Sequence, residues 1–379
     1  MNSTHTLTCA ALALAATSLV GCFETTDGEL GNLSFSDETS GLEDRTDRTL
    51  ARTVAVGATL PVHARCDDGS SANLVAVATQ DDAVVDVRLG TDDGLGDLVL
   101  VDAIAPGTAT IEVQSQCGDD RFTITTGDAA SAELRWTPFS SLFAPPASMW
   151  ADGVALLPDA PVDVRARRFD ADGDEMTGYG GLQWSVTSED EALAEITSRT
   201  ASRMGDAITL RSGDAAGTGT LDAGLGEGLP FAVVTMDDVA QLGLADIEAE
   251  IVVDGGGTLE IPADRELYVL HLAAWTADGA WIAGAGDAIT MTVTEGDEAL
   301  LTPYDWTDLV TDEEDQADLA RMLENGRTLV WTTGAAGEVT VEIGWGAQTA
   351  TFEVVITDTD AATEGEGDNG AEGGAETTE

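Results

Sequence analysis

Three stretches of this chain repeat one pattern. With an Asp-Gly pair aligned, they read LPVHARCDDGSSANLVAV (60–77), VRARRFDADGDEMTGYGG (164–181) and LHLAAWTADGAWIAGAGD (270–287). Ahead of each turn every second residue is apolar: Leu60, Val62 and Ala64; Val162, Val164 and Ala166; Tyr268, Leu270, Leu272 and Ala274. A period of two belongs to a strand with one face in a core. Asp68-Gly69, Asp172-Gly173 and Asp278-Gly279 suit the positive φ of a hairpin turn. Two further landmarks follow in each copy. The first is Asp81-Asp82-Ala83-Val84, Asp190-Glu191-Ala192-Leu193 and Asp297-Glu298-Ala299-Leu300. The second is APGTATIEV (105–113), AAGTGTLDA (215–223) and AAGEVTVEI (335–343), where a glycine turn leads into another alternating strand. The same landmarks met three times in one order define an internal repeat. Short strands, glycine turns and little helical periodicity predict an all-β chain of tandem β-sandwiches.

The residues VAVGATLPVHARCDDG (54–69) with LVLVDAIAPGTATIEVQ (98–114) resemble the bacterial immunoglobulin-like domain of intimin- and invasin-type surface proteins. The second copy also carries the family's middle motif, Trp184-Ser185-Val186-Thr187-Ser188-Glu189-Asp190. Val75 and Met291 take the place of Trp184 in the other copies, and Glu338 replaces the threonine after the third landmark glycine. The resemblance spans roughly residues 50–357. It implies an extracytoplasmic stalk, adhesion or module-spacing role and no catalytic residues. The expected divisions are immunoglobulin-like modules at 50–127, 128–238 and 239–357. The third holds an insertion, TDEEDQADLARMLENG (311–326), that reads as a helix: Thr311 and Glu314 make a capping box, Leu319, Met322 and Leu323 share a face, and Gly326 stops it.

Residues 1–21 read as an exported leader. The apolar run at 7–20 is too short to span a bilayer, and Leu19-Val20-Gly21-Cys22 resembles the lipobox of bacterial lipoproteins. The resemblance implies diacylation of Cys22, and Phe23 after it implies sorting to the outer membrane or cell surface. Residues 22–49 are polar and acidic and read as a flexible tether; residues 358–379 read as a disordered acidic tail. With Cys9 removed and Cys22 lipidated, Cys66 and Cys117 remain and are expected to form a disulfide in an oxidising compartment.

The 16 basic residues, all arginine, stand against 70 acidic ones, a net charge of −54. Such a chain repels nucleic acid and anionic headgroups. Its acids fit either a salt-adapted surface or cation binding. The sharpest cation candidate is Asp170, Asp172, Asp174 and Glu175. A helix-loop-helix calcium loop needs glycine at its sixth position and glutamate at its twelfth, where this chain has Glu175 and Gly181. A hairpin turn and a weak calcium site both remain open for this stretch; no other cofactor is expected. His63 and His271 fall on the outward phase of their strands and read as surface residues. Trp184 reads as core. Trp275 and Trp281 flank the third turn, either at a boundary between modules or as a platform for a glycan. No nucleophile elbow, zinc helix or phosphate loop is present.

The resulting expectation is a lipid-anchored, non-catalytic protein that binds, adheres or spaces, with an unidentified protein or glycan partner. A calcium-dependent adhesive module and a carboxylate-dependent glycan-acting enzyme are the alternatives, the latter because paired acids carry no sequence signature.

Overall fold

A computed structural model describes residues 25–39, 48–90, 97–137, 153–202, 205–246, 251–263, 268–303 and 328–358. Every regular element there is a strand, apart from two single-turn 3-10 helices at Met236–Asp238 and Glu298–Leu300. The expected helix at 311–326, the leader with Cys22 and the acidic tail lie outside the described residues.

The first module contains β1 (Thr26–Asp27), β2 (Leu33–Asp37), β3 (Val54–Ala55), β4 (Thr59–Cys66), β5 (Leu74–Thr79), β6 (Val85–Leu89), β7 (Leu98–Ala103), β8 (Gly107–Ser115) and β9 (Gly118–Gly127). They form two sheets, β1-β2-β4-β7-β6 and β3-β9-β8-β5. The predicted phase is the observed one: Leu60, Val62 and Ala64 are buried with Val99, Val101, Ile111 and Ile124. Phe35 meets Phe122 across the sheets at 4.5 Å between ring centroids.

That contact corrects the expected tether. Within 22–49, Leu33 and Phe35 are buried, and β2 pairs with β4 from Leu33↔Cys66 to Asp37↔Val62. Asp120 fastens the β1–β2 turn by accepting the N–H groups of Leu30 (2.8 Å), Asn32 (2.7 Å) and Leu33 (2.8 Å). The hydrophobic gain of Phe35 and Leu33, about 1.5–3 kcal/mol each, offsets the cost of ordering this short hairpin.

The second module contains β10 (Ser131–Thr137), β11 (Val154–Leu156), β12 (Pro161–Phe169), β13 (Ser185–Ser188), β14 (Ala194–Ser202), β15 (Gly205–Ser212), β16 (Gly217–Asp222) and β17 (Leu229–Val233). The third contains β18 (Gln241–Asp246), β19 (Ile251–Asp254), β20 (Thr258–Pro262), β21 (Tyr268–Trp275), β22 (Trp281–Ala283), β23 (Ile289–Glu295), β24 (Leu301–Pro303), β25 (Thr328–Thr333), β26 (Gly337–Trp345) and β27 (Gln348–Thr357). Their outer sheets are separate, β10-β12-β15-β14 and β20-β27-β26-β23. The other two are one: β13-β16-β17-β11-β22-β21-β18-β19, with β25 and β24 beside β21, make a ten-stranded sheet through both repeats. A single apolar cluster runs from Leu134 and Trp184 in the second repeat to Trp345 and Ile356 in the third.

In each module a short entry strand, β3, β11 or β20, lies parallel to the module's last strand, β9, β17 or β27. That leaves the entry strand with a second edge, and the junctions form there.

Candidate functional site at the module junctions

The acidic loop after β12 is a hairpin turn. Gly173 has φ +86°, and the Asp170 carboxylate accepts the N–H groups of Asp172 and Asp174, both at 2.9 Å. Asp172 and Asp174 point into solvent. Glu175 turns the other way, to Arg167 at 2.8 Å and to Arg52 of the first module at 3.6 Å. The four candidate metal ligands therefore do not converge. Among the described residues no three His, Cys, Asp or Glu side chains form a metal-holding group.

Beyond Glu175 the chain becomes an arm that reaches the first module. Thr177 N–H donates to Thr53 O (2.9 Å) and Ala55 N–H donates to Thr177 O (3.1 Å). Two residues on, Tyr179 and Thr59 exchange N–H···O bonds of 2.9 and 2.7 Å. Met176 is buried against Ala55 and Ala58, and the Thr177 hydroxyl donates to the buried Asp37. Gly181 sits so close that a Cβ there would stand 2.6 Å from Gly57 O.

Arg168 and Asp206 hold the arm in shape. Both are about 5 % exposed, and they form an ion pair. Arg168 also donates to the carbonyls of Gly178 (3.0 Å) and Gly180, while Gly180 N–H donates to Asp206 (2.8 Å). Burial pushes the Asp206 carboxyl above its ordinary value, against the pull of Arg168. The pair thus stabilises one loop shape rather than adding bulk stability.

The second junction uses the same device with different side chains. Trp281, Ile282 and Ala283 pair in parallel with Val154, Ala155 and Leu156. Trp281 N–H donates to Gly153 O (3.0 Å) and Leu157 N–H to Ala283 O (2.9 Å). Trp281 is fully buried. Trp275 is half-buried beside Gly243, where a Cβ would meet its ring at 2.8 Å. For Trp281 the platform reading is corrected: it lies inside the junction, as the boundary alternative has it, and offers no face to a glycan.

Cys66, ending β4, and Cys117, between β8 and β9, are bonded, with Cα atoms 5.9 Å apart. His63 and His271 are buried rather than surface residues. Their strands, β4 and β21, run between strands on both sides, which the alternation of apolar residues could not reveal. A cavity of about 410 Å³, open to solvent, is lined by Glu133, Phe169, Glu227 and Leu229. Glu133 in it accepts from Arg135 at 2.8 Å.

Sequence reasoning missed the arms, though a signal was present. Between the turn glycine and the strand that pairs with the landmark strand (β5, β13 or β23) lie four residues in the first copy (70–73), eleven in the second (174–184) and nine in the third (280–288). The surplus in copies two and three is the docking segment.

No family model matches the sequence, and no curated protein matches it. The chain is similar to domains 4–9 of the surface-layer protein SbsC (17 % identity, TM-score 0.26, covering 89 % of this chain and 46 % of that one). It is similar to invasin, a bacterial integrin-binding protein (11 %, 0.23, 81 % and 58 %). It is equally similar to an endo-fucoidan hydrolase (14 %, 0.23, 81 % and 42 %). The chain thus spans about half of each. These likenesses are shallow and cross functional classes; the functional reading rests on the junctions themselves.

Proposed function

We propose that this chain is a non-catalytic, surface-displayed stalk of three immunoglobulin-like modules that holds its distal end at a fixed distance from a membrane. The observation that carries this reading is that each junction is closed by main-chain pairing and by buried side chains, Met176 and Arg168 in one, Trp281 in the other. A linker that merely joined modules would need neither.

Acylation of Cys22 would anchor the stalk to the outer membrane. Three residues lie between Cys22 and β1 at Thr26, a span of four Cα steps, so an anchored first module would stand within roughly 14 Å of the acylated residue. A charge of −54 repels anionic headgroups, which favours a stalk directed away from the surface. The partner at the distal end would be a protein or a glycan.

Two measurements test the proposal. Spin labels at the exposed Thr123 and Thr292 should give one narrow distance distribution; a broad one would refute fixed spacing. Palmitate should label the full chain and not the Cys22→Ala variant, which should leave the membrane fraction. Membrane retention of that variant would refute the anchor.

A further inference from the structure

The three entry strands can be superposed residue by residue from the pairing alone. The landmark glycine opening β8, β16 or β26 faces one residue of the last strand, which faces one residue of the entry strand. The series are Gly107, Thr126, Val54; Gly217, Val233, Leu156; and Gly337, Ile356, Ile261. The next entry-strand residue is then Ala55, Leu157 or Pro262. In the first two modules its N–H faces away from the last strand and donates to the neighbour's arm, at Thr177 O and Ala283 O. In the third, Ala263 N–H turns inward to Thr357 O (2.9 Å), so residue 262 faces the other edge, where among the described residues no strand pairs and its carbonyl accepts the Thr333 hydroxyl (2.9 Å). Proline there has no N–H to offer.

We infer that this single backbone N–H, present at Ala55 and Leu157 and missing at Pro262, decides whether a module accepts a neighbour by strand addition. The third module therefore accepts none. Strand addition draws its affinity from main-chain bonds, and these arms make few of them, so the loss of one is decisive. Proline is also a common means of keeping an exposed edge from pairing. The opposite pole is closed by another route. The first module's Asp-Gly turn is followed by only residues 70–73, too few for an arm. These are tied back by Asp97, which accepts from the Ser71 hydroxyl and from Ala72 N–H (2.9 Å), beside the Cys66–Cys117 bond. The inference concerns which modules can join and does not depend on the lipid anchor.

The test places proline in an occupied slot and removes it from the empty one. In Ala55→Pro, hydrogen exchange at Thr177 and Tyr179 should speed at least tenfold while the β8 amides of the first module stay protected. Unchanged protection at Thr177 and Tyr179 would overturn the inference. Independently, the chain through Thr357 is extended by a second copy of residues 239–357, with and without Pro262→Ala. The added arm should remain unprotected beside proline and become protected in the alanine version. Docking beside Pro262, or no docking in either version, would overturn it.

Discussion

Replacing Arg168 by methionine leaves Asp206 charged, unpaired and almost fully buried. It also leaves the carbonyls of Gly178 and Gly180 without their donor. Breaking a buried pair from one side costs about 3–5 kcal/mol. If the loss is confined to the arm, opening should become on the order of 10²- to 10³-fold more frequent, since each 1.4 kcal/mol is a factor of about ten. Hydrogen exchange at Thr177, Tyr179 and Gly180 reads that directly; if the loss instead reaches the core that the second and third modules share, their common unfolding midpoint should fall by roughly 10 °C. The pH dependence carries a distinct signature. Asp206 already has a raised pKa in the folded protein, through burial opposed by Arg168. A raised acid favours the fold fully below its unfolded value and loses that contribution as pH rises through the folded one. Without Arg168 the rise is larger, so the difference between variant and wild type should shrink steadily as pH falls from 7 toward 4. Taking the difference cancels the relief of self-repulsion that both share. A constant difference across that range would refute the account of the pair. Asp206→Leu added to Arg168→Met should recover part of the loss, leaving the glycine carbonyls still unsatisfied.

Other outcomes are specific. Asp120→Ala should free the β1–β2 turn at a cost of roughly 2–4 kcal/mol, read as faster exchange at Leu33 and Phe35. Burial works to raise the Asp120 carboxyl, but the N–H donors of Leu30, Arg121, Leu33 and Asn32 bring it below its ordinary value. Its contribution is therefore present above the usual aspartate range and lost as pH falls through the lowered value, so the hairpin should loosen in acid in wild type and not in Asp120→Asn. Reduction of Cys66–Cys117, which span 51 positions, should cost about 4 kcal/mol on the chain-entropy estimate and lower the first module's midpoint. Asp170→Asn should weaken its own turn by about 1 kcal/mol, and by the same amount in calcium, magnesium or chelator at fixed ionic strength. A calcium-dependent difference would restore the metal reading.

Much of the fold could be read from residue order because strands announce their buried face locally. Val62, Val164 and Leu270 are all fully buried, and the glycines of the three Asp-Gly turns have φ +80°, +86° and +90°. What remained hidden was non-local. Leu33-Ser34-Phe35 is too short and too acidic in its surroundings to stand out, and only the waiting edge of β4 makes it a strand. His63 and His271 occupy the outward phase, yet neighbouring side chains bury them; the ring of Trp281, distant in the pairing pattern, lies 6.4 Å from that of His271. Of the candidate site, RRFDADGDEMTGYGG was recognisable as a turn. Its second half has no periodicity, since its hydrogen-bond partners belong to another module.

The two arms add different side chains to one main-chain pairing. One presents Met176 to the small side chains Ala55 and Ala58; the other pairs Trp281 with Val154 and buries it fully. Excising the middle repeat by recombination would bring Trp281 to the strand that Thr177 now meets, with the main-chain donor of Ala55 still in place. Duplicating the third repeat would leave the added arm facing Pro262, which has no N–H to meet it. Arrays of identical modules can lengthen and shorten freely from one generation to the next. Here the proline at position 262 sets a limit on such growth at its own module, whichever repeat is added beside it.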